Sequence, residues 1–208
     1  MRRIRWTLLV ALAALAAPAL AQEDAEATDA DFTFAWGLSA GQVSGGRVSK
    51  MLFDGVPPRI DDTRMLHGLF DIVIAPRLDF EMRFGFGQTD MLDTPNGKID
   101  TRLFIFDAGL VPHWSWGRFG FGVPLGLGWA VTQTDKNLAD TIPGRSFDLS
   151  LRQGSGATMF LGLRGTLKVG EKWVLFGDLR ARRFHRLVNV TERTVKSTEV
   201  TFGFLRYF

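Results

Sequence analysis

Residues 77–87 read RLDFEMRFGFG, and the alternation in them decides the fold. Leu78, Phe80, Met82, Phe84 and Phe86 fall on one face of an extended chain, while Asp79, Glu81, Arg83, Gly85 and Gly87 fall on the other. A period of two means a strand. Residues 119–131 repeat it, with Phe119, Phe121, Val123, Leu125, Leu127, Trp129 and Val131 set against Gly120, Gly122, Pro124, Gly126, Gly128 and Ala130. Residues 32–41 do the same, with Phe32, Phe34, Trp36 and Leu38 against Thr33, Ala35, Gly37 and Ser39.

Five further segments extend the pattern. Residues 65–75 set Leu66, Phe70, Ile72 and Ile74 against His67 and Asp71. Residues 100–111 are apolar on both faces, and Asp107 selects the phase that leaves Phe104, Phe106 and Leu110 opposite it. Residues 157–169 set Met159, Leu161, Leu163 and Leu167 against Arg164 and Lys168; residues 172–184 set Trp173, Leu175 and Leu179 against Asp178, Arg180 and Arg182. The last segment, 195–208, sets Val200, Phe202, Phe204 and Phe208 against Glu199, Thr201 and Gly203. Most of these strands have about ten to thirteen residues, which suits crossing a bilayer at a tilt of about 45°.

Volume decides which face looks outward. The bore of an eight-stranded barrel is only wide enough to be filled by side chains. The Phe, Leu, Trp, Ile and Met complement of these strands does not fit inside, whereas glycines, threonines and a few ions do. An outward apolar band on a secreted chain requires lipid, so a water-soluble barrel with its apolar face inside is the weaker reading. The expected fold is all-β: an eight-stranded antiparallel up-and-down transmembrane β-barrel spanning residues 31–208. Connection lengths agree. Short links near 75–77, 112–118 and 169–172 alternate with longer ones at 42–64, 88–99, 132–156 and 185–195, which carry turn chemistry such as Gly45-Gly46, Pro57-Pro58, Pro95-Asn96-Gly97 and Pro143-Gly144. This is the pattern of tight periplasmic turns and longer extracellular loops. Trp114, Trp116 and Trp173 lie beside the short links, where a periplasmic aromatic girdle belongs.

The start of the chain explains the secretion. MRRIRW is a positive n-region, TLLVALAALAAPAL an apolar h-region, and Ala19-Leu20-Ala21 a small-x-small cleavage site; residues 1–21 read as a signal peptide. Residues 22–30, QEDAEATDA, read as a short acidic periplasmic lead-in. The formal charge of +3 belongs to the precursor, because Arg2, Arg3 and Arg5 leave with the leader and the remaining 22 basic side chains equal the 22 acidic ones. That removes the case for nucleic acid as a partner. The absence of cysteine excludes a disulfide framework and a thiol nucleophile, and nothing brings His67, His113 and His185 together as metal ligands. No metal or other cofactor is expected.

Across residues 31–208 the chain resembles the small outer-membrane β-barrel proteins of Gram-negative bacteria, the OmpA/OmpX/OmpW-like group. The resemblance is sharpest in the final run, VTFGFLRYF, with Val200, Phe202, Phe204 and Phe208 on one face. In that group such a strand is the signal read by the barrel-assembly machinery. An apolar or aromatic residue is usual two positions before the end, and here Arg206 stands there. The resemblance implies location in the cell outer membrane, a monomer, and lipid and lipopolysaccharide as surroundings.

The inward charges are Asp71, Asp79, Glu81, Asp107, Asp178 and Glu199 against Arg83, Arg164, Lys168, Arg180 and Arg182. Counting from the turns puts an acidic wall on the second to fourth strands opposite a basic wall on the sixth and seventh. Two readings follow: a cross-lumen ion-pair network that plugs the barrel, or a narrow porin-like passage with a transverse field. The plug is the stronger reading, since eight strands leave little free bore. The glycine stripe Gly120, Gly122, Gly126 and Gly128 is expected to make room for long charged side chains from the opposite wall.

Two surface readings remain. Some barrels of the resembling group are lipid A-modifying enzymes, and the deacylases among them use a His-x-Ser pair. His113 and Ser115 match, but the spacing puts them in a short turn at the end away from lipid A, and Trp116 stands where that family has Asn. His185 lies at the correct end with no serine in His185-Arg186-Leu187. The expectation is therefore a non-enzymatic barrel with no catalytic residues and a structural, envelope or surface-interaction role. Arg183, His185 and Arg186, on or beside the outward phase near the loops, are candidate lipopolysaccharide contacts because guanidinium suits phosphate; a solvated charge run is the competing reading. Lys50-Met51-Leu52-Phe53 in the first long loop could contact a partner.

Overall fold

A computed structural model describes residues 34–44, 62–94, 97–134, 153–185 and 194–208. The leader, the acidic lead-in, most of three long connections and Arg186 lie outside the described residues. The described elements are β1 (Phe34–Ser44), β2 (Thr63–Ala75), β3 (Leu78–Thr94), β4 (Gly97–Trp116), β5 (Phe119–Gly122), β6 (Leu125–Thr134), β7 (Gln153–Lys168), β8 (Trp173–Phe184) and β9 (Val195–Tyr207).

All pairings are antiparallel, and the order β3-β2-β1-β9-β8-β7-β5-β4-β6 closes on itself through β3–β4 and β7–β6. Segments β5 and β6 are one stave interrupted at Val123-Pro124, since both pair with β4 on one side and β7 on the other. Proline offers no amide to the ladder. The neighbours hold the gap shut: the Val123 amide donates to the Pro112 carbonyl (2.9 Å) and the Gly162 amide donates to the Pro124 carbonyl (2.8 Å). The ring thus has eight staves and no free edge among the described residues, which is the condition for placing a sheet in hydrocarbon.

The tight turns at 76–77, 117–118 and 169–172 mark one end of the barrel, here the turn end; the other is the loop end. Gly117 adopts φ +60° in the turn after β4, a conformation that L side chains resist. This turn is tighter than the expected link at 112–118, because β4 continues through His113 and Ser115 to Trp116. The expected long link at 88–99 is also mostly strand. Gln88–Met91 pair with Ile99–Arg102 and Thr94 with Gly97, so β3 and β4 rise as a ribbon well beyond the length a bilayer needs.

The exterior is apolar. Leu66, Leu127 and Phe202 are each about two-thirds exposed. In-register rings meet at a tilt across β3 and β4, Phe84 with Phe106 (4.9 Å between centroids) and Phe86 with Phe104 (5.1 Å). At the turn end Phe204 meets Trp173 at 5.5 Å and Trp36 at 6.1 Å. Arg206 fits this girdle after all, its guanidinium lying over the rings of Phe208 (4.8 Å) and Trp173 (5.5 Å).

The bore corrects one expectation. Large apolar side chains were placed outside, yet Met65, Leu69, Leu103, Ile105, Phe160, Phe176, Phe184 and Leu205 are buried inside. The inward glycines make the room. A Cβ on Gly126 would stand 2.8 Å from the Phe160 ring, and one on Gly203 would stand 2.8 Å from the Phe176 ring. On Gly120 and Gly122 it would meet Thr166 and Val111. The stripe therefore accommodates neighbouring-strand side chains rather than long charges from the opposite wall.

Candidate functional site

The middle of the bore is a layer of ions held by five strands. In β3, Glu81 and Arg83 take the inward phase; β4 supplies Asp107, β7 Arg164, β8 Asp178, Arg180 and Arg182, and β9 Glu199. All eight are essentially buried. A charge removed from water survives only when paired and hydrogen-bonded, and each of these is.

Asp178 is the hub. Its Oδ2 accepts from Arg83 Nη2 (2.6 Å), Arg180 Nη2 (2.7 Å) and Arg164 Nη2 (3.0 Å), while its Oδ1 accepts from Arg164 Nε (2.7 Å). The last pair is dictated by register, since Arg164 and Asp178 are direct cross-strand partners. Other contacts span the bore. Arg83, from β3, donates to Glu199 Oε1 on β9 (2.9 Å). Arg180 Nη2 donates to Glu81 Oε1 (2.6 Å), and Arg164 also donates to Glu81. Arg182 forks onto Asp107 with Nη1 and Nη2 (2.7 and 2.6 Å) and reaches Glu199 Oε2 with Nε and Nη2 (3.0 and 2.7 Å). Bidentate geometry of this kind is the strong form of a charge-assisted bond. Rings cap the layer: Arg180 and Arg182 lie over Phe160 (4.9 and 5.5 Å) and Arg164 over Phe176 (4.8 Å).

The expected two-wall arrangement is modified. Acids on β2–β4 do face arginines on β7 and β8, but Arg83 sits within the acidic wall and Asp178 within the basic one. Opposite charges are interleaved, so the transverse field is largely cancelled at contact distance. On the loop side Met65, Leu103, Ile105, Phe184 and Val195 fill the bore, and on the turn side Ala35, Leu69, Phe176 and Leu205 form an apolar cluster.

Three other members differ from expectation. Lys168 has the inward phase but is exposed at the end of β7, outside the ion layer; a strongly hydrated ammonium at the rim stays in water. Asp79 is buried toward the turn end, where its Oδ2 lies 3.4 Å from His113 Nδ1 instead of meeting an arginine. Asp71 lies 3.6 Å from Arg164, its one ion pair among the described residues, and its in-register partner is another acid, Glu81. His67 was not among the sequence candidates for the layer, yet its Nε2 lies 3.3 Å from Glu199 Oε1. Its position four residues before Asp71, on the same strand face, was the available signal. Among the described residues, no group of three or more His, Cys, Asp or Glu side chains is placed to hold a metal ion.

On the outside, Val200, Phe202 and Phe208 are exposed, and Phe204 joins the aromatic girdle on the same face. Arg183 is exposed near the loop end of β8 and His185 just beyond it. Lys196, missed in the sequence, is the direct cross-strand partner of Arg183.

This geometry is that of known solved barrels. The chain folds as a small outer-membrane β-barrel. It is similar to Neisserial surface protein A (12% identity, 84% of this chain and 97% of that one, TM-score 0.60). It is similar also to OprG of Pseudomonas aeruginosa (15% identity, 85% and 97%, TM-score 0.52) and to Ail, the attachment invasion locus protein of Yersinia pestis (14% identity, 85% and 99%, TM-score 0.50). No family model and no curated protein sequence matches the chain.

Proposed function

We propose that the chain is an integral outer-membrane barrel with a sealed bore, acting without catalysis as a structural or surface-interaction element of the envelope. Residues 1–21 direct secretion, residues 22–30 lie in the periplasm, and the face of Val200, Phe202, Phe204 and Phe208 is the part offered to the barrel-assembly machinery. The tight turns face the periplasm and the long connections the exterior. The observation that carries the reading is the cross-bore bonding of Arg83, Arg164, Arg180 and Arg182 to Glu81, Asp107, Asp178 and Glu199. A passage for solutes needs a wetted path, whereas each of these guanidiniums is spent on a carboxylate of the layer and apolar side chains lie on both sides.

Single-channel recording in planar bilayers tests it. The protein should give no defined conductance steps. Regular steps whose size or ion selectivity changes in Glu81→Lys or Arg164→Glu would establish a pore and overturn the sealed-bore reading. Catalysis on lipid A is tested by mass spectrometry of the lipid with and without the protein, where its acyl chains should be unchanged; loss of a chain that depends on His113 would contradict the proposal.

A further inference from the structure

The lipid-facing side of β8 and β9 holds a charge pattern that nothing among the described residues compensates. Arg183 and Lys196 are direct cross-strand partners, both exposed on the outward phase. Like charges facing each other across a ladder repel, and among the described residues neither has an acidic partner. Their outward neighbour on β7 is the exposed Met159.

Depth gives the pair a meaning. At the turn end of the same two strands Trp173 is opposite Arg206, an interfacial pairing of aromatic and cation. From Trp173 to Arg183 the strand climbs about 33 Å, or about 23 Å along the barrel axis at a tilt near 45°. That is close to the ~25 Å height of an outer-membrane apolar band. Of the outward positions between them, Leu175, Leu179, Val200 and Phe202 are apolar and exposed, and Thr198, next below Lys196, is polar. Arg183 and Lys196 therefore stand at the opposite interface, where the alkyl stems can follow hydrocarbon and the charged heads meet headgroups.

We propose that Arg183 and Lys196 form a clamp for a phosphate monoester of an outer-leaflet glycolipid, the guanidinium binding two phosphate oxygens and the ammonium a third. The proposal rests on the outer-membrane orientation given above. A phosphate resolves the like-charge pairing, and at an interface of reduced dielectric its attraction to both cations is stronger than in bulk water. His185, exposed one turn of the pleat further on, can donate to the same headgroup.

The test is titration of the detergent-purified protein with bis-phosphorylated lipid A, read by native mass spectrometry, in parallel with chemically dephosphorylated lipid A, phosphatidylglycerol and inorganic phosphate. Wild type should hold one bis-phosphorylated lipid A. Arg183→Gln with Lys196→Gln should weaken it about tenfold, and Arg118→Gln at the turn end should change nothing. Equal binding of dephosphorylated lipid or phosphatidylglycerol, equally effective competition by inorganic phosphate, or undiminished binding by the double variant would overturn the clamp. Heat-modifiable migration of each sample separates the two ideas. A wild type that never forms a barrel sinks the outer-membrane reading itself, whereas a folded wild type indifferent to the lipid's phosphates sinks the clamp alone. Should the double variant fold poorly, Lys196→Gln and the dephosphorylated lipid on wild type still decide.

Discussion

Asp178 accepts from three guanidiniums, and Arg182 serves two carboxylates, so neither can be removed without stranding buried charge. Arg182→Met leaves Asp107 buried without a guanidinium and Glu199 with Arg83 as its one remaining guanidinium partner, and should destabilise the barrel by about 3–5 kcal/mol, read as a lower urea midpoint in lipid vesicles. Adding Asp107→Asn should recover part of that loss, because the stranded acid then becomes neutral. Lys168→Ala should be silent by the same assay, since that side chain is already in water. The contrast shows what was legible at this scale. Period two gave Arg182 and Lys168 the same phase. It could not give their depth, which depends on where each turn begins, and the bore admits only the deeper one to the ion layer. His67 and Lys196 were legible by phase but lacked a partner until register was known.

At the scale of the strand, alternation fixed all eight staves, including the one that Pro124 interrupts. Ends were harder. His113 and Ser115 belong to β4 because Gly117 supplies a left-handed residue that lets the chain reverse in two positions. Gly117→Val should cost about 1–2 kcal/mol through that backbone strain alone, measurable as a shifted unfolding midpoint with the barrel otherwise intact. The β3–β4 ribbon extends beyond what the membrane requires, so replacing residues 91–98 with a two-residue Asn-Gly turn should leave heat-modifiable migration unchanged. Inward aromatics were the part of the strands not anticipated. Phase puts Phe160 and Phe176 inward while the volume argument keeps large side chains out, and only the closed bore reveals that Gly126 and Gly203 leave them space.

For the whole molecule, one partition carries the account: an apolar exterior against lipid, and an interior of ions between apolar layers. The exterior half of that partition predicts that Leu179→Arg, near mid-band, destabilises insertion by about 2–4 kcal/mol. The chain has no cysteine, so single labels can be placed cleanly. Nitroxides introduced one at a time along residues 175–182 of β8, in lipid vesicles, should give collision rates with dissolved oxygen that alternate with period two. Rates should be high at Leu175, Leu179 and Ala181 and low at Phe176, Asp178 and Arg182, with an aqueous nickel chelate excluded from all of them. Oxygen contact at the charged positions with protection at the leucines, or access of the chelate to the Asp178 and Arg182 labels, would contradict it.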